Sequence, residues 1–134
     1  MLFIVAAFVL ALLSTASDAQ TTVAVINAPS SKIFLDGFIK THNFETGGSG
    51  PTKWVQVTGS IRRKKYCLSS GDQGAQNDPS HPSGATCAGY PHFVQLVEPN
   101  ENIYCIRCCR NKDDCPTDRD TEGCKAIFPG AKYD

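Results

Sequence analysis

Seven cysteines, Cys67, Cys87, Cys105, Cys108, Cys109, Cys115 and Cys124, are the residues of this chain most able to do chemistry. Three of them form the cluster Cys105-x-x-Cys108-Cys109. Thiols at that spacing can bind zinc, cycle as a redox pair or form structural disulfides. Zinc needs four thiolate or imidazole ligands that stay reduced. A redox pair needs an exposed thiol of low pKa, usually at a helix N-terminus. Compartment decides between these uses, because an oxidising environment converts such thiols to disulfides.

The first residues point to that environment. Met1 is followed by twelve apolar residues, 2–13, and then by Ser14, Thr15, Ala16, Ser17, Asp18 and Ala19. This is the layout of a secretory signal peptide at residues 1–19, with small residues at 17 and 19 and cleavage before Gln20. A bilayer span needs about 20 apolar residues, so the run is too short for an anchor. The mature chain, 20–134, is expected to be secreted and extracellular, with no membrane span. The cysteines then read as three disulfides and one leftover thiol. Seven cysteines allow 105 such arrangements, and spacing alone does not choose among them. The unpaired thiol is either free in a monomer or joins a disulfide-linked dimer.

Other constellations carry weaker signals. Asp118, Asp120 and Glu122, followed by Gly123, copy the opening of a calcium loop. Position 12 of that loop is Pro129 and a cysteine stands at position 7, so an EF-hand is excluded. What remains is an irregular calcium site or a solvated acidic turn. Tyr90-Pro91-His92-Phe93 is similar to a tetrapeptide of fungal guanyl-specific ribonucleases. That mechanism also needs a carboxylate and a second, later His. His42 and His81 both precede His92, and no His follows it. The alternative is that Tyr90 and His92 pack at the start of a strand. No Gly-x-Ser-x-Gly elbow is present.

Arg62, Arg63, Lys64 and Lys65 form the one focused charge cluster. Such a run is a solvated loop, a site for an anionic partner or a dibasic processing site. The formal net charge is +0, and the mature chain carries 13 basic against 12 acidic residues. That balance argues against bulk capture of nucleic acid.

The elements that must position these residues are short. Residues 22–27 (TVAVIN) and 54–58 (WVQVT) have strand composition, with Val55 and Val57 on one face and Trp54 on the other. Residues 33–35 form an apolar triplet, and the Gly/Ser/Pro-rich stretch 46–51 is a break. Residues 69–86 hold almost no core-forming side chains and are expected to form a long loop pinned by cysteines at its base. Residues 93–97 and 103–107 are strands of an antiparallel hairpin turned at Pro99-Asn100. The tail from residue 108 is turn-rich and expected to be irregular.

Two stretches together resemble known sequences. Residues 87–99 and the pattern Cys105-x-x-Cys108-Cys109, Cys115-Pro116, Gly123-Cys124 and Pro129-Gly130 resemble a group of uncharacterised small cysteine-rich secreted fungal proteins. The resemblance runs from about residue 54 to 130 and leaves 20–51 outside it. It implies secretion, a disulfide scaffold and a fungal source, and brings no catalytic residues.

The expectation is therefore one mainly β, disulfide-stapled secreted domain with an irregular cysteine-rich tail, in which 20–51 stands as a possible N-terminal extension. It needs no cofactor. Its function is expected to be non-enzymatic and effector-like, or cell-surface binding of a host or cell-wall partner. The alternatives are a wall or matrix component cross-linked through the odd cysteine, and a small secreted hydrolase or ribonuclease.

Overall fold

The structure is a computed structural model that describes residues 26–27, 37–80, 86–87 and 89–134. The expected signal peptide, the triplet 33–35 and His81 lie outside the described residues. Of the expected strand 22–27, the last two residues form β1 (Ile26–Asn27). It pairs antiparallel with β5 (Thr86–Cys87).

The centre is a five-stranded antiparallel sheet. Its strands are β2 (Asn43–Gly47), β3 (Trp54–Ser60), β4 (Ala75–Asn77), β6 (His92–Glu98) and β7 (Ile103–Cys109). Their spatial order is β2-β3-β7-β6-β4. Antiparallel sheets commonly leave one face wet and alternate apolar with polar residues. Here β3, β6 and β7 are buried almost residue by residue, because both faces are covered.

The alternation of side chains along a strand sorts the core into two clusters. On the first face Val55, Val57, Phe93, Tyr104, Ile106 and Cys108 meet Phe38, Ile61, Cys87 and Tyr90. On the second, Val94, Leu96, Ile103, Cys105 and Cys109 meet Cys115, Cys124, Ile127 and Phe128 from the tail. Val55 and Val57 thus share a face, and Trp54 packs on the other.

Three disulfides fasten the central strand β7 from both sides. Cys87–Cys108 lies on the first face. Cys105–Cys124 and Cys109–Cys115 lie on the second and tie the tail down. Cys67 is free and exposed. The expected pinning of the 69–86 loop by cysteines at both ends is therefore corrected, since only Cys87 is bridged. Nor is the stretch without structure: residues 75–77 form the edge strand β4 against β6.

The hairpin forms as expected, with His92 opposite Cys109 and Glu98 opposite Ile103. The left-handed residue of its turn is Asn102 (φ 62°), whose N–H reaches the Pro99 carbonyl at 3.2 Å. Asparagine tolerates this region better than most residues. The tail holds short 3-10 turns and the one-turn helix α1 (Cys124–Ile127). Among the described residues no helix is long and apolar enough to cross a membrane.

Candidate functional site

The basic run begins as β3 ends. Ile61 bridges to Ile39, and residues 63–66 make a 3-10 turn. The two arginines are spent on main-chain carbonyls. Arg62 Nη1 donates to the Gly37 and Ile39 carbonyls at 2.9 Å each. Arg63 Nη1 donates to Pro99 O at 3.0 Å and Asn100 O at 3.5 Å, while its N–H meets Asn102 Oδ1 at 3.4 Å. In each arginine the single nitrogen Nη1 serves two carbonyls. Lys64 and Lys65 are exposed and ion-pair with no described residue. Cys67 caps the turn in the left-handed region (φ 56°).

Arg63 thereby fastens the basic turn to the tip of the β6–β7 hairpin. The following loop joins the same place: Asn100 N–H donates to Asp72 O at 2.9 Å, and Asp72 Oδ1 accepts from Gly74 N–H at 2.8 Å. The basic turn, the residues 69–74 that follow it and the hairpin tip about 25 residues further on therefore form one end of the sheet. Beside the tip lies an open cavity of about 300 Å³, lined among others by Gln76, Leu96, Glu98, Asn100 and Asp120. The tip thus borders a polar hollow with two carboxylates, while the exposed Lys65 ammonium lies over Gly37.

The calcium candidates do not come together. Glu122 is engaged by Arg119, with Nε to Oε1 at 2.8 Å, and this hydrogen bond holds its carboxyl below the usual range. Asp120 lines the cavity, and Asp118 is exposed. Among the described residues no three His, Cys, Asp or Glu side chains are grouped to hold a metal ion. Tyr90 is buried in a bridge to Cys87, and His92 begins β6 opposite Cys109. His42 precedes β2, whose first residue pairs at Thr58 and, through it, at Cys105. The register sets His42 and His92 at opposite ends of the sheet, so they cannot act as an acid–base pair.

One arrangement escaped the reading of the residues. Arg107 stands on the second face among apolar neighbours. Its Cζ lies 4.2 Å from the ring centroids of both Trp54 and Phe128. Nε donates to Gln56 Oε1 at 2.7 Å and Nη1 to Asp114 O at 3.2 Å. Gln56 passes the contact on, its Nε2 donating to Glu45 Oε2 at 2.8 Å. Burial lowers the guanidinium pKa, and Asp114 and Glu45 oppose that shift. Gly47 makes room for this stack, because a Cβ there would meet Trp54 Cζ2 at 2.3 Å. A charged residue inside an apolar strand was the available signal.

Comparison with protein-family models, with curated proteins and with solved structures finds no match.

Proposed function

We propose that this chain is a secreted, non-enzymatic binding protein of a fungus, effector-like or acting at a cell surface. It meets a host or cell-wall partner through the end of the sheet just described. The observation that supports this reading is the clamp of Arg63 on Pro99 and Asn100. With the bond from Asn100 N–H to Asp72 O, it gathers the basic turn, the hairpin tip and residues 69–74 into one surface on a disulfide-braced scaffold. Loops held on a rigid frame are where binding residues concentrate. Lys64 and Lys65 leave their charge for an anionic partner, such as an acidic polysaccharide.

The test is retention of the full chain on an immobilised acidic polysaccharide across a salt gradient. Lys64→Ala with Lys65→Ala should elute at lower salt while melting like the parent. Arg63→Ala should also weaken retention, by loosening the tip. Unchanged retention in the double variant would remove the anionic-partner reading.

A second reading rests on Cys67, which is exposed and unpaired. In it the chain is a wall or matrix component joined to its neighbour by an intermolecular disulfide. Such a chain leaves isolated cell walls only with reductant, and Cys67→Ser should make it extractable without.

A further inference from the structure

The last residues cross the second face of the sheet as an extended strap. The Ala131 N–H reaches the Phe128 carbonyl at 3.3 Å. Beyond it, side chains of the sheet hold the strap by its main chain. Thr58 Oγ1 donates to Lys132 O at 2.5 Å and Thr41 Oγ1 to Tyr133 O at 3.1 Å. Asn43 Nδ2 donates to both Lys132 O and Asp134 O at 3.1 Å. Ser60 orients Thr41, since its N–H donates to Thr41 Oγ1 at 2.9 Å and the two hydroxyls lie 2.7 Å apart. With Ser60 as donor in that pair, the Thr41 proton is free to point at the strap.

Three side chains thus hold main-chain oxygens of three consecutive residues, the Lys132 and Tyr133 carbonyls and the Asp134 main-chain oxygen, and such oxygens are present in any peptide. Tyr133 brings the one aromatic side chain of the strap to the second-face core, where it packs with Ala131 against the cluster that also receives Trp54. Its fit is imperfect. The hydroxyl is buried and has no hydrogen-bond partner among the described residues. An unsatisfied buried donor carries a desolvation cost, so a ring without the hydroxyl suits this place better. Glu45 and Glu98 act on the same group, so the groove disfavours negative charge at the ring's tip. The strap leaves the body at Gly130, which has φ +83° and no neighbour in the way of a Cβ.

We infer that this face is a peptide-binding groove. It takes an extended partner segment with an uncharged aromatic side chain, Phe before Tyr, and the chain's own residues 131–134 occupy it in cis. The groove lies on the second face, reached through β2 and β3, and is independent of the loop surface proposed above.

The single Trp54 packs against the same cluster as Tyr133 and serves as the reporter. The full chain carrying Tyr133→Ala, checked for folding by circular dichroism, is titrated with acetylated Ala-Lys-Phe-Asp amide. The Tyr and Ala versions of the peptide are run beside it. A saturable Trp54 change is expected with the Phe peptide. The Tyr peptide should bind about fivefold or more weakly. The Ala peptide should give no change, and adding Thr58→Val should abolish the signal. The wild-type chain should bind at least about tenfold more weakly than the variant, because its strap competes. No saturable change in a folded variant, or equal binding by variant and wild type, would overturn the proposal. Should Tyr133→Ala not fold, the wild-type chain decides by NMR. Saturating Phe peptide must move the amide signals of residues 131–134 toward random-coil positions, and unmoved signals refute exchange.

Discussion

Arg107 is the residue on which the second face is expected to depend most. Its guanidinium is stacked between two rings at 4.2 Å and donates to Gln56 and to the Asp114 carbonyl. A hydrogen bond to a charged group contributes about 1.5–3 kcal/mol, and each cation–π contact about 0.5–2 kcal/mol as water is excluded. Arg107→Met keeps much of the volume and removes all four contacts. It also strands Gln56, which is 2% exposed, with its Oε1 unpaired. The terms are not additive, and breaking one partner of a buried charged network typically costs about 3–5 kcal/mol. We expect a loss in that range for Arg107→Met. Arg107→Lys should lose about half as much, since an ammonium keeps charge but neither the fork nor the flat stack.

Urea unfolding without reductant, followed by Trp54 fluorescence, measures both. A typical net stability of about 5–15 kcal/mol leaves the variants folded enough to titrate. The companion double variant Arg107→Met with Gln56→Met removes the stranded group. It should recover about 1–3 kcal/mol relative to the sum of the singles. If Arg107→Met is destabilised by less than about 1 kcal/mol, or the pair behaves additively, the network does not hold this face together and the reasoning fails.

Gln95 is fully buried on the first face, and both its amide atoms lack partners among the described residues. Gln95→Met should therefore raise stability by about 1–3 kcal/mol in the same urea assay, and a loss would reveal a partner such as an ordered water. Loop length ranks the disulfides. Cys87–Cys108 and Cys105–Cys124 span 21 and 19 residues and Cys109–Cys115 spans 6. Paired replacement by Ala should cost about 3 kcal/mol for each long loop and about 2 kcal/mol for the short one, and a larger cost for the short loop would refute the ranking. Alkaline pH should unfold the chain. Burial, with Glu98 and Glu45 behind it, pushes the Tyr133 phenol up to about 12, and burial raises that of Tyr104. The folded state keeps protons that the unfolded chain releases near pH 10, so stability is full below that pH and falls as pH rises towards 12. Tyrosinate absorbance should show two of the four tyrosines ionising late, and Tyr133→Phe should reduce the alkaline loss.

What could be read from the sequence follows how each element is made. β3, β6 and β7 lie at the centre of the sheet and must be apolar on both sides, so WVQVT, FVQLV and IYCI announce themselves. β2 and β4 are edge strands with the sequences NFETG and AQN. Apart from Phe44 and Thr46 their residues have low strand propensity, and pairing with a stronger neighbour makes them strands, so composition hides them. The disulfides were more legible than a free choice among 105 arrangements suggests. Once residues 105–109 are one strand, the extended chain holds Cys105 about 10 Å from Cys108 and on the opposite face. Cys105, Cys108 and Cys109 must then seek partners elsewhere, which leaves about two dozen arrangements. Nothing local chooses Cys67 as the odd one, because that depends on where its 3-10 turn ends.

The basic run shows the opposite limit. Charge density marked Arg62, Arg63, Lys64 and Lys65 alike, yet the fold divides them into two arginines bonded to carbonyls and two lysines facing solvent. The division follows from chemistry, because a weakly hydrated guanidinium gives its N–H groups to carbonyls readily while an ammonium stays well hydrated. It could not be located without knowing which carbonyls the hairpin tip and residues 37–39 would bring within reach of the turn. The strap is hidden for the same reason. Residues 131–134 have no period and no apolar run, and apart from the side chains of Ala131 and Tyr133 they attach through main-chain atoms that every residue shares. A sequence displays its side chains, so contacts made through carbonyls, here the clamp of Arg63 and the seat of the strap, are what only the folded chain discloses.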